Sequence, residues 1–421
     1  MVKYRPRIID DEIRKELDAI GAVVIEGPKW CGKTTTASTI AKSKMFLLDP
    51  ETGAENRLLA ETSPALALKG DNPRLIDEWQ VVPSLWDAVR GSVDARGETG
   101  LYLLTRSTSV DRDKMQHSGA GRISTIKMGT MSLYESGDST GEVSLSDLFD
   151  GAKEIYGHTD KGVEDVAYLV VRGGWPKSIG KSEDAAFRAV RAYCKRIVES
   201  DIAELEDKRR DPDRAKEILQ SLSKAVSEPL VKRNIIKDIE AHGKTTVTEK
   251  TLDDYLKAFR RMYLLDEVHA WNPNLRSKAS TRTTDIVHLC DPAVAASFMG
   301  ASSKSLLSDL GTLGLLFESM VVRDLRAYTQ RMGGEIYHYR DSDGLEADAV
   351  VHLNDGRWGV VEVRLGSNRV DEGADSLLKL SEKVDTKGMG KPSFLAVVTA
   401  TKTAFTRPDG VHVIPLACLR D

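Results

Sequence analysis

The stretch "AVVIEGPKWCGKT", from Ala22 to Thr34, decides how this sequence folds. Its first four residues are apolar and mostly β-branched, which predicts a buried strand, and the residues from Thr34 to Ala41 predict a helix. Between strand and helix the chain fits the pattern G-x-x-x-x-G-K-[ST] in the structural context that this pattern requires. The glycines allow the backbone to curl, so that N–H groups and the amino end of the helix face a phosphate.

This loop predicts a site for the phosphates of ATP. We expect Lys33 to contact the β- and γ-phosphates and the Thr34 hydroxyl to bind Mg²⁺. A chance glycine-lysine turn is the alternative interpretation. The residues predicted to surround the phosphates are Gly27, Pro28, Lys29, Trp30, Cys31, Gly32, Lys33, Thr34 and Thr35.

Two further predicted strands end in polar residues. The strand in "PRLIDEWQ" ends in Asp77 and Glu78, which is typical of a Walker B motif: Asp77 would hold Mg²⁺ through water, and Glu78 would polarise the attacking water. The strand in "LYLLTRSTS" ends near Thr105, and either Thr105 or Ser107 is a candidate sensor of the γ-phosphate. The structural alternative for Asp77 and Glu78 is a solvated strand end. For Thr105 and Ser107 it is a hydroxyl that caps the end of a strand.

Two arginines are candidates for stabilising charge on the phosphates. Arg122 lies in "GAGRI" and Arg172 in "RGGWP", and either is a candidate to act on its own chain or on a neighbouring copy. A surface cation and a structural ion-pair partner are the alternatives for both.

Several stretches together resemble one family of proteins. They are "YRPRIID", "GAVVIEGPKWCGKTTTA", "LIDEWQVVPSLWDAVR", "GAGRI", "MSLYESGDSTGEVSL" and "RGGWP". As a set they resemble prokaryotic AAA-type ATPases with a C-terminal domain of unknown function. The resemblance implies an AAA-like ATPase domain, a helical and winged-helix-like region, and a C-terminal domain with a restriction-endonuclease-like core. Members commonly have glycine after the sensor threonine, whereas this chain has Arg106.

The middle of the chain reads as helices. In "RRDPD", Asp211 is a predicted N-cap before Pro212 at the first helical position. The segment from Lys224 to Arg261 then reads as helix, turn and helix before a strand pair, and carries nine Lys/Arg against six Asp/Glu. Such an order fits a winged helix that binds DNA. It also fits a winged helix that serves only as a packing element.

The C-terminal part places acidic residues on consecutive elements. An apolar helix carries Glu318, one strand carries Asp348, and the strand "VVEVR" carries Glu362 and Arg364. This order and spacing match the PD-(D/E)xK nuclease core, in which such acids hold Mg²⁺. The usual lysine is replaced by Arg364, which stays protonated and cannot act as a base. An active nuclease, a non-cleaving binding fold and a structural ion pair all remain open.

We therefore predict an α/β protein with three domains: a P-loop NTPase (AAA-like) parallel sheet over 1–180, a helical and winged-helix-like region over 181–300, and a nuclease-like domain over 301–421. Of the 421 residues 41% are hydrophobic and 29% charged, with a net charge of −4, which indicates a globular protein without a basic field. Four scattered cysteines and the lack of a membrane-length apolar run favour a cytoplasmic location. The expected partners are ATP, Mg²⁺, and either DNA or a protein. Homo-oligomers are left open.

Overall fold

The computed structural model describes residues 4–109, 118–203, 205, 210–273, 284–384 and 389–421. The chain divides into two compact units. The first comprises Met1–Thr130 and the short segment Arg260–Leu264, and the second comprises Met131–Phe259 and Leu265–Asp421. The three-domain division made from the sequence stays a prediction.

The first unit contains a sheet of five parallel strands, which confirms the predicted α/β sheet. The strands are β1 (Ala22–Glu26), β2 (Ser43–Phe46), β3 (Arg74–Asp77), β4 (Tyr102–Arg106) and β5 (Ile123–Lys127), in the order β2-β3-β4-β1-β5. The helices are α1 (Ile9–Ala19), α2 (Lys33–Ile40), α3 (Gly53–Thr62), α4 (Pro64–Ala67) and α5 (Leu85–Arg96). Since all strands run parallel, the loops that follow β1, β3 and β4 meet at one edge of the sheet.

Strand β1 is buried on both faces, as its apolar sequence predicts. Val24 belongs to a core with Trp79 and Val89, whereas Val23 belongs to a second core with Ile13 of α1. All five side chains are fully buried, and burying such a side chain stabilises a fold by about 1.5–3 kcal/mol. The two cores hold β1, and therefore the loop that follows it, in a fixed position.

The region predicted to be helical, residues 181–300, contributes several of the helices of the second unit. The helices of this unit are α6 (Leu133–Ser136), α7 (Leu145–Phe149), α8 (Val163–Arg172), α9 (Glu183–Arg196), α10 (Pro212–Lys224), α11 (Lys232–His242), α12 (Glu249–Arg261), α13 (Pro292–Met299), α14 (Ser303–Ser308), α15 (Leu310–Arg331) and α16 (Val370–Lys383). The last two residues of α12 are counted with the first unit. The Asp211 side chain accepts a hydrogen bond from the backbone of Asp213, with Pro212 at the first helical position of α10. The predicted cap is thus confirmed.

A buried ion network ties the start of the second unit to α15. The Arg323 guanidinium donates to Asp324 at 2.8 Å and to Asp291 at 3.1 Å. Asp324 in turn accepts the backbone N–H of Leu133 at 2.9 Å, and Asp291 accepts that of Gly174 at 2.9 Å. Each buried charge therefore has partners, as low-dielectric surroundings demand.

A mixed sheet of nine strands forms the centre of the second unit. Its order is β7-β14-β15-β13-β12-β11-β10-β8-β9, and β6 pairs with β16 separately. The strands are β6 (Val143–Ser144), β7 (Tyr156–His158), β8 (Leu265–Ala270), β9 (Ile286–Leu289), β10 (Gly334–Arg340), β11 (Glu346–Leu353), β12 (Trp358–Arg364), β13 (Leu395–Thr399), β14 (Thr403–Thr406), β15 (His412–Pro415) and β16 (Leu419–Arg420).

The pair β8 and β9 follows α12, where the sequence predicts the strand pair of a winged helix. The two strands are antiparallel, and β8 also pairs in parallel with β10 through Tyr337 opposite His269. The predicted strand pair is therefore part of the same sheet as the C-terminal strands. Within the described residues, no helix is both long and apolar enough to span a bilayer.

Candidate functional site

The phosphate-binding loop follows β1 and has the backbone that its glycines predict. Gly27 has a φ of 154° and Gly32 a φ of 108°, a region that side-chain-bearing residues rarely adopt. A Cβ at Gly27 would lie 2.0 Å from the carbonyl oxygen of Met128, the residue that follows β5. The first glycine is therefore required twice, by its dihedral angle and by a close backbone neighbour.

The Lys33 ammonium is enclosed by this loop. It is 4% exposed and donates hydrogen bonds to the carbonyl oxygens of Gly27 at 2.9 Å and Pro28 at 2.8 Å. Lys33 begins α2, so its backbone N–H lies at the amino end of that helix. The loop thus combines a buried ammonium with the amino end of a helix, and both favour an anion.

The remaining predicted loop residues differ in exposure. Pro28 and Cys31 are buried, Lys29 and Thr34 are partly buried, and Thr35 and Trp30 are exposed. The side chain of Trp30 is 53% accessible, although it immediately precedes the buried Cys31. The loop thus presents one large aromatic surface beside the predicted phosphate position.

Asp77, at the end of β3, is joined to its neighbours by hydroxyl groups. The Thr105 hydroxyl donates to Asp77 Oδ1 at 2.7 Å and accepts the backbone N–H of Glu78 at 3.0 Å. Burial raises the pKa of Asp77 above its usual value, while hydrogen bonds from Thr105 and Thr34 act in the opposite direction. The structure therefore brings the predicted residues Thr34, Asp77, Glu78 and Thr105 together.

The Glu78 carboxylate is held by two side chains. Its Oε2 accepts hydrogen bonds from Ser107 Oγ at 2.8 Å and from the amide of Gln80. The Glu78 backbone has a φ of 57°, a left-handed conformation that is uncommon for this residue type. Backbone strain of this kind costs on the order of 1–3 kcal/mol and clusters at functional sites.

The two candidate arginines lie elsewhere. The Arg122 carbonyl accepts the N–H of Ala22, at the amino end of β1, and five strand residues of about 3.3 Å each separate that end from the phosphate loop. Arg122 pairs with Asp94 at 2.7 Å, so a role at the site of its own chain does not fit, and a role in trans stays a prediction. Arg172 is 3% exposed and pairs with Asp138 at 2.6 Å inside the second unit, which corresponds to the structural alternative.

Two contacts near the loop were not predicted from the sequence. Arg7, which belongs to the motif "YRPRIID", has a buried side chain. Its guanidinium donates a hydrogen bond to the carbonyl oxygen of Cys31 at 2.9 Å and thereby stabilises the loop. Glu26, the last residue of β1, accepts hydrogen bonds from Arg106 Nε and from the Tyr263 hydroxyl, both at 2.9 Å. The one sequence signal for the second contact is Arg106 itself, which stands where glycine is expected.

The C-terminal acids also come together. The backbone N–H of Val363 donates to Asp348 at 2.7 Å. Arg364 donates to the carbonyl oxygen of Val363 at 2.8 Å and to the Glu362 carboxylate, and its Nη1 lies 3.7 Å from Asp348. Glu318 of α15 interacts with Asp348 and Glu362.

The carboxyl groups of this cluster carry raised pKa values. Burial, followed by the nearby charges of Asp348 and Glu362, raises the pKa of Glu318. Burial raises the pKa of Glu362 and of Asp348 as well, and Arg364 opposes both shifts. In the described part of the chain, no group of three or more His, Cys, Asp or Glu side chains is arranged to hold a metal ion.

Three family models match successive parts of the chain. Residues 20–136 match an AAA domain, residues 163–305 a domain of unknown function (DUF8612), and residues 313–419 a domain of unknown function (DUF4143). Residues 20–136 are thus similar to an AAA-type P-loop ATPase domain, and residues 20–130 of that match lie in the first unit. The uncharacterized protein Rv2008c of Mycobacterium tuberculosis is 22% identical over 355 residues, which are 82% of this chain and 71% of that protein.

Solved structures show a more distant likeness. The Walker-type ATPase PABY2304 of Pyrococcus abyssi is 13% identical, with 70% of this chain and 99% of that chain covered and a TM-score of 0.39. The ORC2 protein of Aeropyrum pernix, in ADPNP-ADP complexes, is 13% identical, with 73% and 91% covered and a TM-score of 0.29.

Proposed function

We propose that the first unit binds ATP together with Mg²⁺ and hydrolyses it. The observation that carries this proposal is the chain of hydrogen bonds from Thr34 and Thr105 to Asp77, beside the enclosed Lys33 ammonium. Hydroxyl and carboxylate oxygens are the ligands that Mg²⁺ prefers, so Thr34 and Asp77 fit the ion that accompanies ATP. Bound Mg²⁺ would neutralise charge on the phosphate oxygens.

Lys33 has a binding role in this proposal. Its present partners are two neutral carbonyl oxygens, those of Gly27 and Pro28. A hydrogen bond from an ammonium to a phosphate oxygen joins two charged groups and is roughly twice as strong as one between neutral groups. Phosphates that enter the loop therefore compete successfully for the Lys33 ammonium.

Glu78 is the proposed base that accepts a proton from the attacking water. Ser107 and Gln80 fix the direction of its carboxylate, and Thr105 links its backbone to Asp77. Since Thr105 already uses its hydroxyl on both sides, contact with a γ-phosphate requires it to release one of these bonds. We therefore assign Thr105 the role of coupling the metal-side acid to the base.

ATP titration and turnover measurements test the proposal. We expect Lys33→Ala to abolish ATP binding, and Glu78→Gln to retain binding while turnover falls by about 10²–10⁴-fold, the usual effect of losing a general base. Lys44→Ala, which removes an exposed lysine of β2, is the matched control and should change neither quantity. Absence of ATP binding by the unmodified protein, or full turnover in Lys33→Ala, would refute the function.

Arg122 is proposed to act on the site of a neighbouring copy. Its position at the opposite edge of the sheet supports a role in trans rather than in cis. Arg122→Ala and Glu78→Gln should each lose turnover when tested alone, whereas their mixture should recover part of it. In the mixture, a site on the Arg122→Ala chain keeps its own Glu78 and can receive Arg122 from a neighbouring Glu78→Gln chain. No recovery in the mixture removes this residue from the mechanism.

DNA is the second proposed partner, through the winged-helix-like region. Two of the three acids of α12 have close cationic partners, since Asp253 pairs with Lys232 at 2.7 Å and Asp254 pairs with Arg210 at 3.0 Å, and Glu249 lies 3.6 Å from the same Lys232. Lys250 and Lys257 of the same helix are exposed. The exposed lysines give this helix a positive surface, which favours binding to the phosphate backbone of DNA.

Turnover with and without double- and single-stranded DNA tests this partner. We expect DNA affinity to fall with added salt, and Lys250→Ala/Lys257→Ala to weaken binding on all sequences alike and to lower the salt dependence. Lys44→Ala serves again as the control. If no DNA binds even at low salt, the nucleotide-switched module has a protein partner instead.

A further inference from the structure

Arg364 occupies an unusual position within the acidic cluster of the second unit. Its guanidinium contacts three groups: the carbonyl oxygen of Val363, the carboxylate of Glu362 and, at 3.7 Å, the carboxylate of Asp348. Oxygen atoms of these kinds are the ligands of a hard divalent cation. The guanidinium therefore uses the same oxygens that a cation held between β11 and β12 would need.

A cation would stabilise the ionised form of this cluster. Glu318, Asp348 and Glu362 bring three carboxyl groups together. Each of the three interacts electrostatically with the Arg364 guanidinium. The Glu362 side chain is only 5% exposed, and its Oε2 has no hydrogen-bond partner among the described residues. A buried oxygen without a partner is costly, and the ionised carboxylates of one cluster repel one another.

Helix α16 packs closely against Arg364 and Glu362. Gly373 of α16 lies over the pair, and a Cβ there would contact Glu362 Cγ at 3.3 Å and Arg364 Cγ at 3.6 Å. The Arg364 side chain is only 22% exposed, and its guanidinium is directed to the acids of the cluster. The helix thus passes close above both side chains.

We propose that Arg364 is a built-in counter-cation, which fills the cation position between Asp348, Glu362 and the Val363 carbonyl and excludes divalent metal ions. The acidic cluster then forms a metal-excluding site that does not cleave nucleic acid. Removal of the guanidinium exposes the same oxygens and creates a site for one hard divalent cation such as Mn²⁺. The inference concerns the second unit and is independent of ATP hydrolysis in the first.

Mn²⁺ binding without nucleotide, followed by electron paramagnetic resonance, tests this inference. We expect Arg364→Ala to bind one more Mn²⁺ per chain than the unmodified protein, with a dissociation constant on the order of 10⁻⁴ M, the range of weak carboxylate sites. The double variant Arg364→Ala/Glu362→Gln should lose the additional ion, which assigns it to the cluster. Arg340→Ala removes an arginine that pairs with Glu346 on the same sheet at 2.8 Å, and should bind no additional ion.

Thermal unfolding supplies a second readout. Without its counter-cation, Arg364→Ala should unfold at a lower temperature in EDTA and recover in Mn²⁺, whereas the unmodified protein should be indifferent to both. If Arg364→Ala does not fold, Arg364→Gln removes the charge but keeps hydrogen-bond donors, and the same two measurements apply to it.

Three results would overturn the proposal. The first is Mn²⁺ binding by the unmodified protein that disappears with Glu362→Gln. The second is a folded Arg364→Ala or Arg364→Gln variant that binds no additional ion. The third is metal-dependent DNA cleavage by the unmodified protein that is lost in Asp348→Ala. Cleavage would make the cluster a nuclease site with a tolerated arginine.

Discussion

Replacing Thr105 with valine tests the chain of contacts at the nucleotide site most directly. Thr105 is fully buried, and valine has nearly the same shape, so the change mainly replaces a hydroxyl by a methyl group. It removes the hydrogen bond to the Asp77 carboxylate and leaves the Glu78 N–H without its acceptor. The substitution therefore isolates two hydrogen bonds.

Their loss has an expected size. A hydrogen bond to a charged group contributes about 1.5–3 kcal/mol and one between neutral groups about 1 kcal/mol. We expect Thr105→Val to lower the free energy of unfolding of the first unit by about 2–4 kcal/mol. Chemical denaturation followed by tryptophan fluorescence measures this, because Trp79 is buried directly after Glu78.

The loss should depend on pH. The pKa of Asp77 in the folded chain is already raised above 3.8, and the Thr105 hydrogen bond acts to lower it, so Thr105→Val raises it further. A carboxyl whose pKa is higher in the folded chain than in the unfolded chain favours the folded chain when it is protonated. Stability therefore falls as the pH rises from 3.8 through the folded pKa. The difference between variant and unmodified protein should therefore be smallest below pH 3.8 and grow above it.

A serine at the same position separates the hydroxyl from the methyl group. Thr105→Ser keeps both hydrogen bonds and should lose only about 1 kcal/mol for one buried methyl. ATP turnover should follow the same order, near normal in Thr105→Ser and strongly reduced in Thr105→Val. Equal stability of the two variants, or a loss under about 0.5 kcal/mol in Thr105→Val, refutes the reasoning.

Three further changes have defined outcomes. Arg7→Ala leaves the Cys31 carbonyl without its donor, so ATP affinity and melting temperature should both fall; unchanged affinity in an ATP titration would show that the brace is dispensable. Burial lowers the pKa of His288 to about 3, so the unfolded chain takes up the proton first and stability should fall by up to about 1.4 kcal/mol per unit as pH drops from 6.5 toward 3. Denaturation at several pH values should show a flatter slope in His288→Leu, and identical slopes would contradict this. Gly27→Ala places a Cβ 2.0 Å from the Met128 carbonyl, so ATP binding should be lost, and retained binding in a titration would contradict the loop geometry.

Local patterns in the sequence led to the candidate nucleotide site. The loop lies between its strand and helix because each element is encoded within a few residues, and the parallel order of β1, β3 and β4 then brings Asp77 and Thr105 to the loop. The direct bond between these two side chains depends on which residues of β3 and β4 are neighbours. That register comes from packing, and no local pattern encodes it.

Contacts between distant parts of the chain could not be predicted. Tyr263 reaches Glu26 across 237 positions, and β8 pairs with β10 although the predicted wing gave no reason to expect it. Arg364 was recognised as a departure from a lysine pattern. Its hydrogen bond to the Val363 carbonyl depends on the side-chain conformation, which the residue type alone does not determine.

The nine-stranded sheet constrains how this protein can be divided. It takes β7 from the region before α8, the pair β8 and β9 from the middle of the chain, and β10 to β15 from the C-terminal part. A fragment that begins at residue 301 would leave the backbone groups of β10 and β14 unpaired along two edges, and bare edges invite aggregation. Recombination at that point would have the same cost, so the middle and C-terminal parts are expected to be inherited together.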